Sequence, residues 1–295
     1  MRLAAIKLDR TEAASVLTGA GFIPIGDINE KLGCNWPTDV QELIVSGKLE
    51  ELASWHRAAG SRQLEALANY AMPEAVVEFA PLYRRPSKIW GIGLNYADHA
   101  KDLAESAPTL APASFAKFDT TIIGHGEAIK IPLQSEKTTA EAELAIIFGK
   151  KCKNVEEKDW RIPLAGFTTI IDVTAEDILR ANPRYLTRAK NFDTFLGFGP
   201  VLVTTDEIED VAALNVATVL NGVVCARNTI SNMTFPPSRL VSFHSNVATM
   251  LPGDLILTGT PRAVLINDGD IVECRIDGFE TLMNPVIDLK VRSAA

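Results

Sequence analysis

The sequence predicts a mixed, β-rich α+β fold in which a few helices cover a core of strands. The segment LNGVV places Asn221-Gly222 between apolar residues, which is the strongest short-range signal for a β-hairpin. The turn-forming segments PGD, NDGD and IDGF recur between residues 252 and 279 at the spacing of short strands. Helical periodicity is rarer, and it predicts helices over residues 174–182 and 237–250.

Residues 1–80 differ from the rest and are predicted to form a small N-terminal α/β domain. Residues 3–8 alternate as in a strand, and apolar residues recur with helical spacing around 37–58 and 61–71. Residues 81–87 contain two prolines and two arginines, which disfavour regular structure and predict a linker. The main domain is therefore expected to begin at residue 88.

Composition and charge exclude several classes of function. The chain has 29 lysines and arginines against 37 aspartates and glutamates, so its net charge of −8 gives no broad attraction for nucleic acids or anionic membranes. Charges interrupt every apolar stretch before it reaches the ~18 residues of a membrane span. The four cysteines form no CxxC pair, which argues against a zinc knuckle or a dense disulfide framework. We expect a cytoplasmic protein that binds neither nucleic acid nor membrane.

Two acidic residues stand two positions apart in TTAEAELAIIFGK, residues 138–150. Because side chains two apart in a strand point to the same face, Glu141 and Glu143 are expected to project together. Carboxylates this close repel each other unless a cation or a shared proton compensates, so the pair is a candidate for binding a hard metal ion. The alternative is that both side chains face water at the start of a strand.

A third acid, Asp172, closes the strand-like part of FTTIIDVTAED, residues 167–177, just before a predicted helix. A carboxylate at the end of a strand is well placed to enter a functional site, but it could instead cap the helix N-terminus. Three carboxylates with water in the remaining positions suit Mg²⁺, Mn²⁺ or Ca²⁺ better than zinc.

His99 is the candidate general base among the four histidines. In WGIGLNYADHAKD, residues 90–102, an apolar strand passes through a turn into a helix-like run, and Asp102 follows His99 at i+3 on the same helical face. A carboxylate there could orient the imidazole and support its charged form. The chain has no GxSxG, P-loop, HExxH or complete dinucleotide fingerprint, so those chemistries are not indicated.

Seven segments, taken in order, resemble the fumarylacetoacetate hydrolase family from about residue 88 to the C-terminus. The segments are KIWGIGLNYADHAKD, PASFAKFDTTIIGHGEAIKIP, TTAEAELAIIFGK, FTTIIDVTAEDI, RAKNFDTFLGFGPVLVT, LNGVVCARNTISNM and LPGDLILTGTP. The resemblance implies that residues 88–295 form a catalytic domain with a roll-like arrangement of mixed sheets, and that the protein is a homodimer. It also implies a Mg²⁺ ion, with Mn²⁺ or Ca²⁺ as alternatives, held by Glu141, Glu143 and Asp172.

The resemblance assigns roles to further residues. Lys190 in RAKNFD corresponds to the family's lysine, which acts in catalysis and substrate binding, and Thr260 in TGTP corresponds to a substrate-contacting threonine. Arg262 stands where the family continues with glycines, and it is either a carboxylate-binding cation or a surface arginine. The family usually has glutamate at the position of Asp102, so Glu105 is an alternative partner for the histidine.

The function implied by this resemblance is hydrolytic C–C cleavage of an acylpyruvate-like or fumarylpyruvate-like substrate. The substrate would be a small 2-oxo acid or dicarboxylate of the kind met in aromatic catabolism. Two alternatives use the same chemistry without water, namely isomerisation of a 2-hydroxyhepta-2,4-diene-1,7-dioate and decarboxylation of oxaloacetate. An alternative of another class is an inactive, ligand-binding member of the fold.

Overall fold

The computed structural model describes residues 1–9, 11–96 and 108–293. Within these ranges the strands are β1 Arg2–Leu8, β2 Thr11–Thr18, β3 Gly21–Pro24, β4 Ile89–Gly93, β5 Ala113–Ala116, β6 Ile122–Ile123, β7 Ile129–Ile131, β8 Thr138–Phe148, β9 Leu164–Ala175, β10 Leu196–Phe198, β11 Val201–Thr204, β12 Asn215–Leu220, β13 Val223–Thr229, β14 Leu255–Leu257, β15 Val264–Leu265, β16 Ile271–Ile276 and β17 Leu282–Asp288. The α-helices of the same ranges are α1 Ile25–Leu32, α2 Val40–Val45, α3 Lys48–Trp55, α4 Ser61–Glu65, α5 Glu176–Ala181, α6 Leu186–Lys190, α7 Pro237–Val247 and α8 Leu289–Ser293.

Two sheets of different size make up the strand-rich core. The larger follows the order β3-β2-β1-β11-β9-β8-β14-β4-β5, with β6, β10 and β15 paired at its side. The smaller follows the order β13-β12-β16-β17-β7. The two sheets meet at β8, where the backbone N–H of Ala142 donates to the hydroxyl of Thr218 and the thiol of Cys274 donates to the carbonyl of Glu143. The predicted α+β, β-rich class is confirmed.

The long antiparallel pair β8–β9 lies at the centre of the larger sheet. Every residue of both strands is buried, which explains their nearly continuous apolar sequence. Polar residues in such a pair have little contact with bulk water, so they are stabilised mainly by partners inside the protein or in an adjoining cavity. The polar residues that interrupt the apolar run therefore mark a candidate functional site.

The predicted turns and most predicted helices are confirmed. Asn221 and Gly222, both with positive φ, form the turn between β12 and β13. Helix α7 lies within the predicted 237–250. The helix expected over 174–182 begins only at Glu176, because β9 continues through Ala175 and pairs with β8 along its whole length. In the described part of the chain, no helix combines the length and apolar character that crossing a membrane requires.

The first three strands continue the larger sheet, since β1 pairs antiparallel with β11. Helices α1 to α4 follow them, and buried residues such as Leu3, Leu43 and Leu52 belong to one apolar cluster with Leu202 and Leu257 of the main part. Residues 1–80 therefore share a sheet and a core cluster with the rest. The division into 1–80, a linker at 81–87 and 88–295 stays a prediction.

Candidate metal centre and active site

The register of β8 against β9 brings the three predicted acids together. Glu141 lies directly opposite Asp172, and Glu143 follows two residues along the same face of β8. One carboxylate oxygen from each residue lies within 4.8 Å of the others. The period-two argument thus placed Glu141 and Glu143 correctly on one face, and strand pairing adds Asp172.

Burial and local structure exclude the interpretation of the glutamates as solvent-exposed residues and of the aspartate as a helix cap. Glu141 is 7% exposed, Glu143 1% and Asp172 0%, so none of them is a solvated surface residue. Asp172 is not a helix cap either, because it lies inside β9 and the residue before α5 is Ala175. Three buried carboxylates need compensating positive charge.

Two buried lysines supply part of that charge. Lys190, the last residue of α6, places its Nζ 2.9 Å from Oε2 of Glu141 and 2.6 Å from Oδ2 of Asp172. Lys117 places its Nζ 2.7 Å from Oδ1 of Asp172 and donates to the backbone carbonyl of Lys190. Asp172 is therefore held by an ammonium group on each of its oxygens.

Each acid has a different hydrogen-bonding environment. The hydroxyl of Thr174 donates to Oε1 of Glu141 over 2.8 Å, so both oxygens of that carboxylate have a donor. Glu143 instead accepts from the backbone N–H of Gly259 over 2.7 Å. Gly259 has φ +94°, and an added Cβ would lie 2.8 Å from Cβ of Asn95. Glycine is required where the backbone reaches Glu143.

These environments move the pKa values in opposite directions. Burial, followed by the charges of Asp172 and Glu141, raises the pKa of Glu143 well above its usual range. Burial alone would raise the pKa of Asp172 too, but the charges of Lys117 and Lys190 outweigh it and lower that pKa. Burial alone would lower the pKa of Lys190, yet Asp172 and Glu141 outweigh it and raise it. Glu143 is the acid whose negative charge is least compensated.

The donor set fits a divalent cation. When all three acids are ionised, the two lysines leave one uncompensated negative charge in the cluster. Carboxylate oxygens are the donors that Mg²⁺, Mn²⁺ and Ca²⁺ prefer, and an oxygen that already accepts one hydrogen bond from a lysine, Thr174 or Gly259 keeps a second lone pair. The cluster is therefore suited in charge and chemistry to a hard dication.

A cavity of about 470 Å³ opens in front of the cluster. Glu141, Lys190 and Thr260 lie in its wall, and Phe115 contributes a ring whose centroid is 4.8 Å from Nζ of Lys190. Thr260 is buried, and its hydroxyl donates to the carbonyl of Arg262 over 3.1 Å. The Arg262 side chain is exposed and is not among the described residues of the cavity wall. Its role as a carboxylate-binding cation stays a prediction.

The predicted general base His99, its predicted partner Asp102 and the alternative partner Glu105 lie outside the described residues. Their chain segment follows Tyr96, which is fully buried and whose pKa is raised by burial and by the nearby charge of Glu143.

Three residues of this site were missed by the sequence analysis. Lys117 lies in the segment PASFAKFDTT, but a single lysine between a strand and a turn carries no pattern of its own. Gly259 acts through its backbone, which leaves no chemical signal in the sequence. Thr139 could have been found, because it precedes Glu141 by two residues on the same strand face and lies in the cavity wall.

Comparison with known proteins identifies the family. The family model for the fumarylacetoacetate (FAA) hydrolase C-terminal domain matches residues 88–287. The human mitochondrial oxaloacetate tautomerase FAHD2A is 33% identical over 278 residues, which are 91% of this chain and 85% of that protein. The chain belongs to the fumarylacetoacetate hydrolase family, as the seven segments predicted.

Solved structures of enzymes with different reactions share the fold. The 5-carboxymethyl-2-hydroxymuconate delta-isomerase of Mycobacterium smegmatis is 31% identical with a TM-score of 0.75, over 98% of this chain and 99% of that one. Maleylpyruvate hydrolase of Sphingobium sp. SYK-6, in complex with manganese(II) and pyruvate, is 25% identical with a TM-score of 0.79, over the same shares of the two chains. Tautomerase, isomerase and hydrolase are thus all among the similar proteins.

Proposed function

We propose that this protein is a metal-dependent enzyme that acts on a small 2-oxo or 1,3-dioxo acid, with Glu141, Glu143 and Asp172 as the ligands of a Mg²⁺ ion. The observation that carries the proposal is the buried cluster of three carboxylates, within 4.8 Å of one another, beside a cavity of about 470 Å³. The manganese and pyruvate in maleylpyruvate hydrolase support both the kind of ion and the kind of ligand. Mn²⁺ and Ca²⁺ are the alternative ions.

The residues around the cluster have separate tasks in this proposal. A bound dication would withdraw electrons from the 2-oxo acid and stabilise the negative charge that develops on its oxygen during reaction. Lys190 holds a second positive charge beside Glu141 and Asp172, in the cavity wall where the substrate binds. Thr260 lies in the same wall and would orient the substrate.

The reaction that we favour is hydrolytic cleavage of an acylpyruvate-like or fumarylpyruvate-like substrate. Water adds its hydroxyl to the carbonyl carbon remote from the 2-oxo acid, the adjacent C–C bond breaks, and the carbon released with the pyruvate fragment takes up a proton. His99, oriented by Asp102 or Glu105, is the proposed base that removes the proton from water. Such base catalysis typically contributes ~100-fold to 10,000-fold in rate.

A second candidate is chemistry through the same enolate without water. The same cation and lysine would stabilise that enolate, which isomerisation and tautomerisation form by removing a proton and which decarboxylation of oxaloacetate forms by releasing CO₂; one proton shuttle then returns a proton to the product. The similarity to oxaloacetate tautomerase over 91% of this chain and to the delta-isomerase over 98% favours this candidate. An inactive, ligand-binding protein is the remaining alternative, and it would bind the cation without turnover.

One assay separates these candidates. Protein loaded with Mg²⁺ or Mn²⁺ is incubated with an acylpyruvate, with oxaloacetate and with a 2-hydroxyhepta-2,4-diene-1,7-dioate, and products are followed by absorbance and NMR. We expect cleavage of the acylpyruvate that stops on chelation of the metal. Turnover of only the other two compounds would favour the second candidate over hydrolysis. Tight metal binding with no turnover would favour the inactive alternative. The predicted homodimer is tested separately by light scattering, where a monomer at micromolar concentration would contradict it.

A further inference from the structure

The carboxylate of Glu141 is held at both of its oxygens. The hydroxyl of Thr174 donates to Oε1 over 2.8 Å, and Nζ of Lys190 lies 2.9 Å from Oε2. Thr174 is 2% exposed and follows Asp172 by two residues on the same face of β9, so its hydroxyl reaches Glu141 from the strand opposite. The carboxylate therefore cannot rotate without lengthening one of these two contacts.

Thr174 differs from the lysine donors of the cluster because it is neutral. Asp172 has Nζ of Lys117 2.7 Å from Oδ1 and Nζ of Lys190 2.6 Å from Oδ2. These lysines compensate the charge of the acids, so a change at either of them alters the charge of the site together with the freedom of its ligands. Removing the hydroxyl of Thr174 would instead alter the freedom of Glu141 and leave the charge as it is.

The freedom of a carboxylate matters because Mg²⁺ and Ca²⁺ use carboxylates differently. Mg²⁺ demands octahedral geometry with oxygens at about 2.1 Å and keeps several waters. Ca²⁺ accepts roughly six to eight oxygens at about 2.4 Å in flexible geometry, and it often takes both oxygens of one carboxylate. Selectivity between the two ions depends on the size of the site and on the number and flexibility of its ligands. A carboxylate that is prevented from turning favours the smaller ion.

We infer that Thr174 makes the acid cluster selective for Mg²⁺ over Ca²⁺, by holding Glu141 in the orientation that its hydrogen bond fixes. Thr174 is thus a positioning residue, which acts on the ion through Glu141. A Ca²⁺ ion that took both oxygens of Glu141 would have to turn this carboxylate away from Thr174 and Lys190. The inference rests on the proposed function for the presence of a divalent cation, and it goes further by assigning the choice of ion to a named residue.

The test measures the dissociation constants of Mg²⁺ and Ca²⁺ by calorimetry on the metal-free protein. The ratio of the Ca²⁺ constant to the Mg²⁺ constant expresses the selectivity, and we expect it to exceed one. Thr174→Val keeps the shape of the side chain without the hydroxyl, so it should lower the ratio about 10-fold, the typical contribution of a hydrogen bond to a charged group. Thr174→Ala should lower the ratio as well, and Thr174→Ser, which keeps a hydroxyl, should retain it.

Thr139→Val is the matched control. Thr139 lies directly opposite Thr174 in the β8–β9 ladder, is 3% exposed and belongs to the same cavity wall. No described residue hydrogen-bonds its Oγ1, so this second buried hydroxyl does not hold an acid of the cluster. Its removal should leave the ratio unchanged.

The selectivity ratio separates a positioning role from a merely structural one. If Thr174→Val and Thr174→Ala weaken both ions by the same factor, or change neither, the ratio stays constant and the inference is overturned. Tighter binding of Ca²⁺ than of Mg²⁺ by the unmodified protein, or an equal fall of the ratio in Thr139→Val, would overturn it too. Thermal unfolding of each metal-free variant verifies that it is folded. Failure of the unmodified protein to bind either ion would instead overturn the proposed function, and the inference with it.

Discussion

Replacing Glu143 with glutamine should stabilise the metal-free protein and weaken metal binding at the same time. Glu143 is 1% exposed, and the other two acids have an oxygen within 4.8 Å of it. Unit charges at 4.8 Å repel by about 3 kcal/mol at an effective dielectric constant of ~20. Attraction to the nearby lysine ammonium groups offsets part of this repulsion. We therefore expect a net gain of about 1–3 kcal/mol in the free energy of unfolding at pH 7.5.

The gain should depend on pH in a defined direction. The pKa of Glu143 is raised in the folded protein, so the folded state holds a proton that the unfolded state releases near the ordinary value of 4.5. Stability of the metal-free protein is then complete below that value and falls as pH rises toward the raised pKa, by at most about 1.4 kcal/mol per pH unit for one proton. Glutamine does not titrate, so the advantage of Glu143→Gln should be small at pH 5 and grow toward pH 7.5.

Glu141→Gln is the matched control, because it removes the same charge from a carboxylate that is already paired. Glu141 accepts from Lys190 and from Thr174, so its loss leaves those donors less satisfied and should lower stability. Thermal unfolding in the presence of a chelator measures both variants, and the expected gain for Glu143→Gln corresponds to a rise in Tm of about 2–8 °C. Mn²⁺ affinity, measured by calorimetry, should fall at least ~10-fold in each variant. The reasoning is refuted if Glu143→Gln lowers the metal-free Tm as much as Glu141→Gln, or if it leaves Mn²⁺ affinity unchanged.

Further substitutions test other parts of the site. Lys190→Met should destabilise the metal-free protein by about 3 kcal/mol, because it leaves two buried carboxylates less compensated. It should also abolish turnover without weakening Mn²⁺ binding. Weaker Mn²⁺ binding in calorimetry would contradict this prediction. Gly259→Ala should lower the free energy of unfolding by about 2–4 kcal/mol, because residue 259 has a positive φ and the added Cβ would lie 2.8 Å from Cβ of Asn95. An unchanged Tm in thermal unfolding would contradict the need for glycine. If His99 is the base, kcat/KM should rise with pH through an apparent pKa near ~6.5, and Asp102→Asn should shift that limb downward. A profile that responds to Glu105→Gln instead would transfer the orienting role to that residue.

The sequence was informative where the signal lies within one element. Two-residue spacing placed Glu141 and Glu143 on one face of a strand, and the Asn221-Gly222 turn was recognised from its residues alone. The start of α5 was predicted two residues early, because Thr174 continues in β9 and donates its hydroxyl to Glu141. Tertiary pairing decided that boundary, and local periodicity does not contain it.

The arrangement of the site was less accessible because it depends on strand register and on distant chain segments. Alternation indicates which side chains share a face of one strand, but it does not determine which residue of the partner strand lies opposite. Glu141 meets Asp172 only because β8 and β9 pair in one particular register. Lys117 and Gly259 approach from positions far along the chain, and nothing in their own surroundings distinguishes them from an ordinary lysine and a loop glycine.

The strand pair β8–β9 determines both how deeply the three carboxylates are buried and which residues lie beside them. Burying β8 and β9 on both faces limits the contact of the acids with water, so their charge requires compensation by Lys117 and Lys190 and, in the proposed function, by a divalent cation. The ladder that fixes the acids also orders the rows beyond them, from Glu141 outward to Glu176. Because Thr139, Thr174 and Glu176 line the cavity together with Glu141, the pairing that positions the acids also determines which side chains form the cavity wall beside them.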